Sequence, residues 1–472
     1  MKKRILAGIV SASMIVCICA GCQNEQPVTS NANIEEVREN ESQTEIVLKD
    51  DEITASTHLV SIEGNVVKIT QAGSYVFTGE LSDGRILVEA EKEDAVELVL
   101  NGVDITCSDY APIQVLQADN VTINLAEESV NVLTDGSTYS LADEEDNTDG
   151  VIFSKDDLEF KGNGTLYING NYKHGIVGKD DVIIHGGTYV IQAVEDGVNA
   201  NDSITIEDGD ITITAGDDGI HVDELLTINA GIIMVAESTE GLEGHQVIIN
   251  GGDIDITASD DGINSNSGSD SENAELNVTM EAGGAFPETV EEGSLPERPE
   301  DGTFPEESER GNILGGERGQ GRMGGMTMDA DEDSLIQING GTIQVDANGD
   351  GLDSNGYLEI NGGAIYISGS VGNGDSAIDY GLEATISGGT ILAAGFSGMA
   401  EAFSSESQQY SILYKMQDIK AAGTSVVVRD SSGAEILSFT PGKEYNCLIL
   451  SSPEMEEGER YTIEIDGNTE EL

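Results

Sequence analysis

Tryptophan is absent from this 472-residue chain, and all aromatics together make up 4% of it. Broad stacking platforms for bases or neutral sugars are therefore scarce. Basic residues are scarce as well: 21 Lys and Arg stand against 89 Asp and Glu, a formal net charge of −68. Phosphate recognition depends on Lys and Arg, so this balance excludes nucleic acid as a partner. It also disfavours resting on an anionic lipid surface, and it favours cations. Cysteines number five. Cys17, Cys19 and Cys22 crowd the N-terminus, whereas Cys107 and Cys447 lie far apart. That spacing offers no disulfide framework and no zinc motif, and the last two read as small buried apolar residues.

The one long apolar run is "ILAGIVSASMIVCI", which follows the basic start "MKKR". Its length and flanks predict a signal peptide over 1–21 rather than a membrane span. "CAGC" resembles a bacterial lipobox, with Cys19 where Leu is commoner, so Cys22 is the expected lipidated residue. The expected address is the outer face of the cell membrane, reached through a lipid anchor only. Residues 22–50 are polar and read as a flexible tether.

Glycine is what the chain has in plenty, with 58 residues. Gly175, Gly197, Gly219, Gly241 and Gly262 follow one another at intervals of 22, 22, 22 and 21, and most follow an acid. Short alternating stretches of Ile, Val and Thr lie between these turns, as in "DGVNANDSITIEDGDITITAG". A fixed period of this length marks a solenoid. Three short strands with period-2 alternation fit one coil of a parallel β-helix, and no leucine columns or helical segments suggest a leucine-rich horseshoe. The predicted fold is all-β: a right-handed parallel β-helix over 51–402 with an antiparallel β cap over 403–472. Residues 267–333, rich in Gly, Glu, Pro, Arg and Met, interrupt the period and read as a disordered insertion.

Several stretches together carry a family resemblance: "GSYVFTGELSDGRILVEA", "GVIFSKDDLEFKGNGTLYINGNY", the D-D-G-I coils, "NGDGLDSNG" and "YNCLILSSPE". They resemble the clostridial carbohydrate-binding domain-containing β-helix proteins over roughly residues 50–470. The resemblance implies a pectate-lyase-like β-helix, bound calcium and affinity for plant-type polysaccharides, polygalacturonate and cellulose among them. It implies binding without established lyase action.

The coils in register stack their acids. Asp196, Asp218, Glu240, Asp261 and Asp350 precede the turn glycines, with second acids at Asp217 and Asp260. Asn264 and Asp353 stand two places after a glycine, and Asp223 and Asn355 four places after. Coils stack about 4.8 Å apart, where two carboxylates repel by roughly 3.5 kcal/mol at an effective dielectric near 20. A divalent cation reverses that sign, and Ca2+ takes six to eight hard oxygens. Asp196, Asp217, Asp218, Asp223, Asp260, Asp261, Asn264, Asp350, Asp353 and Asn355 are therefore the candidate metal ligands. His221 and His245 are expected to border the ladder. The competing reading is that Asp-Gly pairs simply favour turns.

Three functions stay open. A calcium-bridged binder of acidic polysaccharide, monomeric and without catalysis, is favoured. A calcium-dependent lyase needs a basic side chain to take a proton, and Lys179 is the runner-up base. A surface spacer stiffened by calcium is the third.

Overall fold

The structure, a computed structural model, describes residues 43–140, 147–266 and 330–472. The expected signal peptide, Cys22, the tether up to 42 and the insertion from 267 to 329 lie outside the described residues. Among the described residues every regular element is a strand. They wind into a parallel β-solenoid of about 11 turns.

Each regular coil contributes one strand to each of three faces. On the first face His174–Gly178, Val198–Ala200 and the start of Ile220–Ile228 pair in parallel. The second face carries Val182–Ile184, Ser203–Ile206 and the end of Ile220–Ile228. The third carries Thr188–Gln192, Asp210–Thr214 and Ile232–Glu237. Alternation sends every second side chain inward, so identical positions of successive coils stack. One inward column runs Ile176, Val198, Ile220, Leu242, Ile263, Leu352, Ile378 without a break in register. All seven are buried. Each such side chain contributes about 1.5–3 kcal/mol of transfer free energy, and the columns merge into one continuous core.

The turn glycines are required by close stacking. Gly219 has an ordinary negative-φ backbone, yet a Cβ there would stand 2.5 Å from the Gly241 carbonyl oxygen and 2.7 Å from a Val235 methyl. Asp-Gly turn preference alone therefore does not explain the period: coil-to-coil contact does. On the second face an exposed amide ladder links coils, with Asn250 donating to Asn229 at 2.8 Å and Asn339 to Asn250 at 2.9 Å.

Two expected boundaries move. The solenoid starts inside the expected tether, because Thr44–Leu48 pairs in parallel with Gly73–Leu81. Its alternation buries Ile46 and Leu48 completely, which a free tether has no means to do. The expected insertion ends earlier than 333: Asp331 donates its N–H to the Asn355 carbonyl at 2.9 Å, and the coil resumes there. At the C-terminal end Tyr445–Ser451 pairs antiparallel with both Thr390–Gly395 and Ser411–Lys420. A separate four-stranded antiparallel sheet follows. Tyr445–Ser451 occupies the last edge of the third face, which would otherwise be open to pairing.

Candidate functional site

The outward residues of the first face form a column in strict register: Asn199, His221, Glu243, Asn264, Asp353 and Asp379. Beside it, at the corner leading into that face, stand Asp196, Asp218, Glu240, Asp261 and Asp350. The sequence places this second column outward in solvent. The structure buries much of it instead, with Asp196 at 5%, Asp218 at 7% and Asp350 at 8% exposure. The cause is the stacking itself: a carboxylate accepts an N–H from the next coil. Asp218 N–H donates to Asp196 at 3.1 Å, Glu240 N–H to Asp218 at 3.2 Å and Asp350 N–H to Asp261 at 2.6 Å. The backbone N–H of Ser376 donates to Asp350 in the same way.

Two clusters along this ladder differ in how their charge is met. At the first, His221 Nδ1 lies 2.6 Å from Glu243 and 3.2 Å from Asp218, while Nε2 lies 3.4 Å from Asp223. Burial opposes the charged imidazole, but three carboxylates outweigh it and push His221 up to about 12. Burial likewise raises Asp218, while the bond to His221 leads the forces that hold Glu243 below the usual range against its own burial. A protonated imidazole thus sits inside the ladder rather than at its border, and both ring nitrogens are engaged. Asp196 is met similarly, by His174 at 3.1 Å and by the Asn199 amide at 2.7 Å. It ends below the ordinary carboxylate value despite burial.

Among the described residues the second cluster has no such partner. Asp350, Asp353 and Asp379 each place an oxygen so that all three lie within 4.8 Å of one another. Burial pushes Asp350 up to about 8 and Asp353 to about 7, and it raises Asp379 too. The charges acting most strongly on Asp353 are Asp261, Asp379, Asp260 and Asp375, all acids. Asp261 is itself raised to about 6 by burial and by Asp260. Donors that are all hard oxygen, close together and short of positive charge fit Ca2+. The histidine cluster does not fit it, since its proton already does a cation's work.

Of the expected ligands, Asp261, Asp350 and Asp353 come together here, and Asp260 lies near enough to act on Asp353. Asp217 and Asp223 are exposed on other coils. Asn264 is turned to Glu240, donating at 2.8 Å, and Asn355 donates its backbone N–H to the Ser265 carbonyl at 2.9 Å. Asp379 is the residue the sequence reading misses. Its coil reads "SAIDYG", with Ser376 and Ala377 where other coils have an acid and glycine, so the turn signature is lost. The surviving signal is the alternation Ile378-Asp379-Tyr380.

Lys179 follows His174–Gly178, five coil steps from Leu352–Ser354. At about 4.8 Å per step that is roughly 24 Å along the axis. Its ammonium sits 6.0 Å over the Phe153 ring, out of reach of anything held at the Asp353 cluster. Cys107 and Cys447 are free and buried.

The model of a family described as carbohydrate-binding domain-containing protein matches residues 63–374. A carbohydrate-binding domain-containing protein of Acetivibrio thermocellus is 37% identical over 195 residues, which is 41% of this chain. The chain spans 66% of that relative's length. Among solved structures, a gadolinium derivative of the polysaccharide lyase-like protein from C. thermocellum aligns with a TM-score of 0.42 and 27% identity. That alignment covers 73% of this chain and 97% of the other.

Proposed function

The chain belongs to the carbohydrate-binding domain-containing protein family, and from that premise we propose a non-catalytic, cell-surface binder of acidic polysaccharide that works through calcium. The surface address rests on residues 1–22. Calcium is assigned to Asp350, Asp353 and Asp379, with Asp261 beside them. The observation that carries this reading is a close group of three carboxylates, Asp350 buried and Asp353 and Asp379 half-buried, whose strongest charged neighbours are more carboxylates. Bound there, the ion supplies positive charge to a surface that otherwise repels a uronate. The chain's own residues hold the ion and orient it toward the first face, and a sugar carboxylate completes its oxygen shell. Without calcium a chain of net charge −68 and a polyuronate repel each other.

Lyase action is the weaker reading, because proton abstraction needs a base within hydrogen-bond reach of the substrate. Lys179 stands about five coils away from the cluster. The test is a polygalacturonate pull-down with and without chelator. Retention in calcium and release in EDTA, with no unsaturated product formed, is the expected outcome. Retention that ignores EDTA, or accumulation of unsaturated product, contradicts the proposal.

A further inference from the structure

Asparagine followed by glycine occurs nine times in the chain. Such a pair is open to cyclisation, because glycine has no Cβ to keep its backbone nitrogen away from the asparagine side chain. The reaction needs two freedoms. The glycine N–H must have no acceptor, and the asparagine amide must be free to turn back onto it. The fold withdraws one or the other at every pair but one. The N–H groups of Gly102, Gly164, Gly170, Gly349, Gly356 and Gly362 are all donated to oxygens, at 2.7 to 3.3 Å. Asn250 and Asn339 sit in the exposed amide ladder, where each side chain both donates and accepts between coils.

The exception is Asn373–Gly374, in the loop between Ala364–Ser368 and Ile378–Tyr380. Both residues are exposed. Among the described residues neither the Gly374 N–H nor the Asn373 side-chain amide has a hydrogen-bond partner. A Cβ at Gly374 would meet nothing within 4 Å. The Asn373 backbone rests against Gly398, which anchors the loop without engaging either reacting group. Here the Gly374 nitrogen attacks the Asn373 side-chain carbonyl carbon. A C–N bond forms as the Gly374 N–H gives up its proton, and the amide nitrogen leaves as ammonia. Water then opens the cyclic imide at either carbonyl and leaves aspartate or isoaspartate at position 373. Asparagine and water become aspartate and ammonia, with no oxidant and no cofactor. The product adds a negative charge to the loop that carries Asp375, whose own charge bears on Asp261, Asp353 and Asp379.

We infer that Asn373 is a site of spontaneous, one-way deamidation, selected by the fold from among the Asn-Gly pairs, which places a new carboxylate in the loop beside the aspartate cluster. The inference does not depend on what that cluster binds. The test ages the full chain in mildly alkaline buffer, folded and in guanidinium chloride, and follows every Asn-Gly peptide by mass spectrometry. In the folded chain amide loss at Asn373 is expected to lead every other pair by about tenfold or more. Isoaspartate is expected at the same position by enzymatic methylation. In denaturant the lead disappears, because all the pairs are then equally free. Gly374→Ala places its methyl in open space, keeps the melting curve and slows the loss about tenfold. Asn373→Gln removes the early acidic shift on isoelectric focusing. Loss that begins at Asn250, Asn339 or any other pair of the folded chain overturns the inference. So does a rate that Gly374→Ala leaves unchanged, or an Asn373 amide that survives ageing intact. A lead of Asn373 that persists in denaturant also overturns it, since the selection then lies in the local sequence and not in the fold.

Discussion

The histidine cluster and the aspartate cluster occupy the same column of the same face, three coil steps apart, and solve one problem in two ways. Around His221 two buried carboxylates are met by an imidazolium that belongs to the chain. Around Asp353 three carboxylates meet no cationic side chain among the described residues, and burial raises all three. Stacked coils offer each rung the same place, so the side chain in the outward column decides whether that place is internally neutralised or open to a cation. Burial alone does not make a metal site here, because Asp218 is as buried as Asp350.

Removing the internal cation breaks the comparison most severely. His221→Asn leaves Asp218 and Glu243 buried together without a counter-charge, and such a loss costs about 3–5 kcal/mol. Denaturant melts in chelator check this, and a loss below about 1 kcal/mol means that His221 does not neutralise its rung. Some of the lost stability is expected to return with added calcium, because the rung then resembles its neighbour.

A smaller effect is read by pH, and it runs through both clusters, because burial raises Asp218 to about 8 and Glu240 to about 9 as well. Asp261, Asp350 and Asp353 titrate at about 6, 8 and 7 in the folded chain against 3.8 unfolded. The folded chain holds protons that the unfolded chain has released, so this stability is complete below pH 4 and is lost as pH climbs toward 8. His221 has the same sign, but only above its unfolded value of 6.5. Glu243, held near 2, acts in the opposite sense and only below about 4.5. The window from pH 4.5 to 6.5 therefore belongs to the raised acids. Melting in chelator should show stability falling there by about 1 kcal/mol per pH unit for each acid fully engaged, with a shallower slope in Asp353→Asn. A flat profile in the wild type contradicts the assignment.

The comparison also shows what the amino-acid order reveals and what it hides. The glycine period and the Ile and Val alternation announce coil, face and core column, because stacking imposes the same demand on every turn. The Asp-Gly pairs draw attention to the ladder for a partly different reason. Asp196, Asp218 and Asp261 are aligned because each accepts a backbone N–H from the next coil, whatever else they bind. Asp379 escapes notice because Ala377 replaces the turn glycine, although the column of outward residues continues through it. Burial of the ladder, and the choice of His221 as its internal counter-ion, depend on neighbours 22 residues away in sequence and emerge only in three dimensions.

Calorimetric titration of calcium into the chelator-stripped chain at neutral pH tests the central claim most directly, with Asp353→Asn and His221→Asn alongside. A saturable site in the wild type, lost in Asp353→Asn and kept in His221→Asn, is the predicted result. Absence of calcium binding in the wild type, or binding that survives Asp353→Asn unchanged, contradicts it.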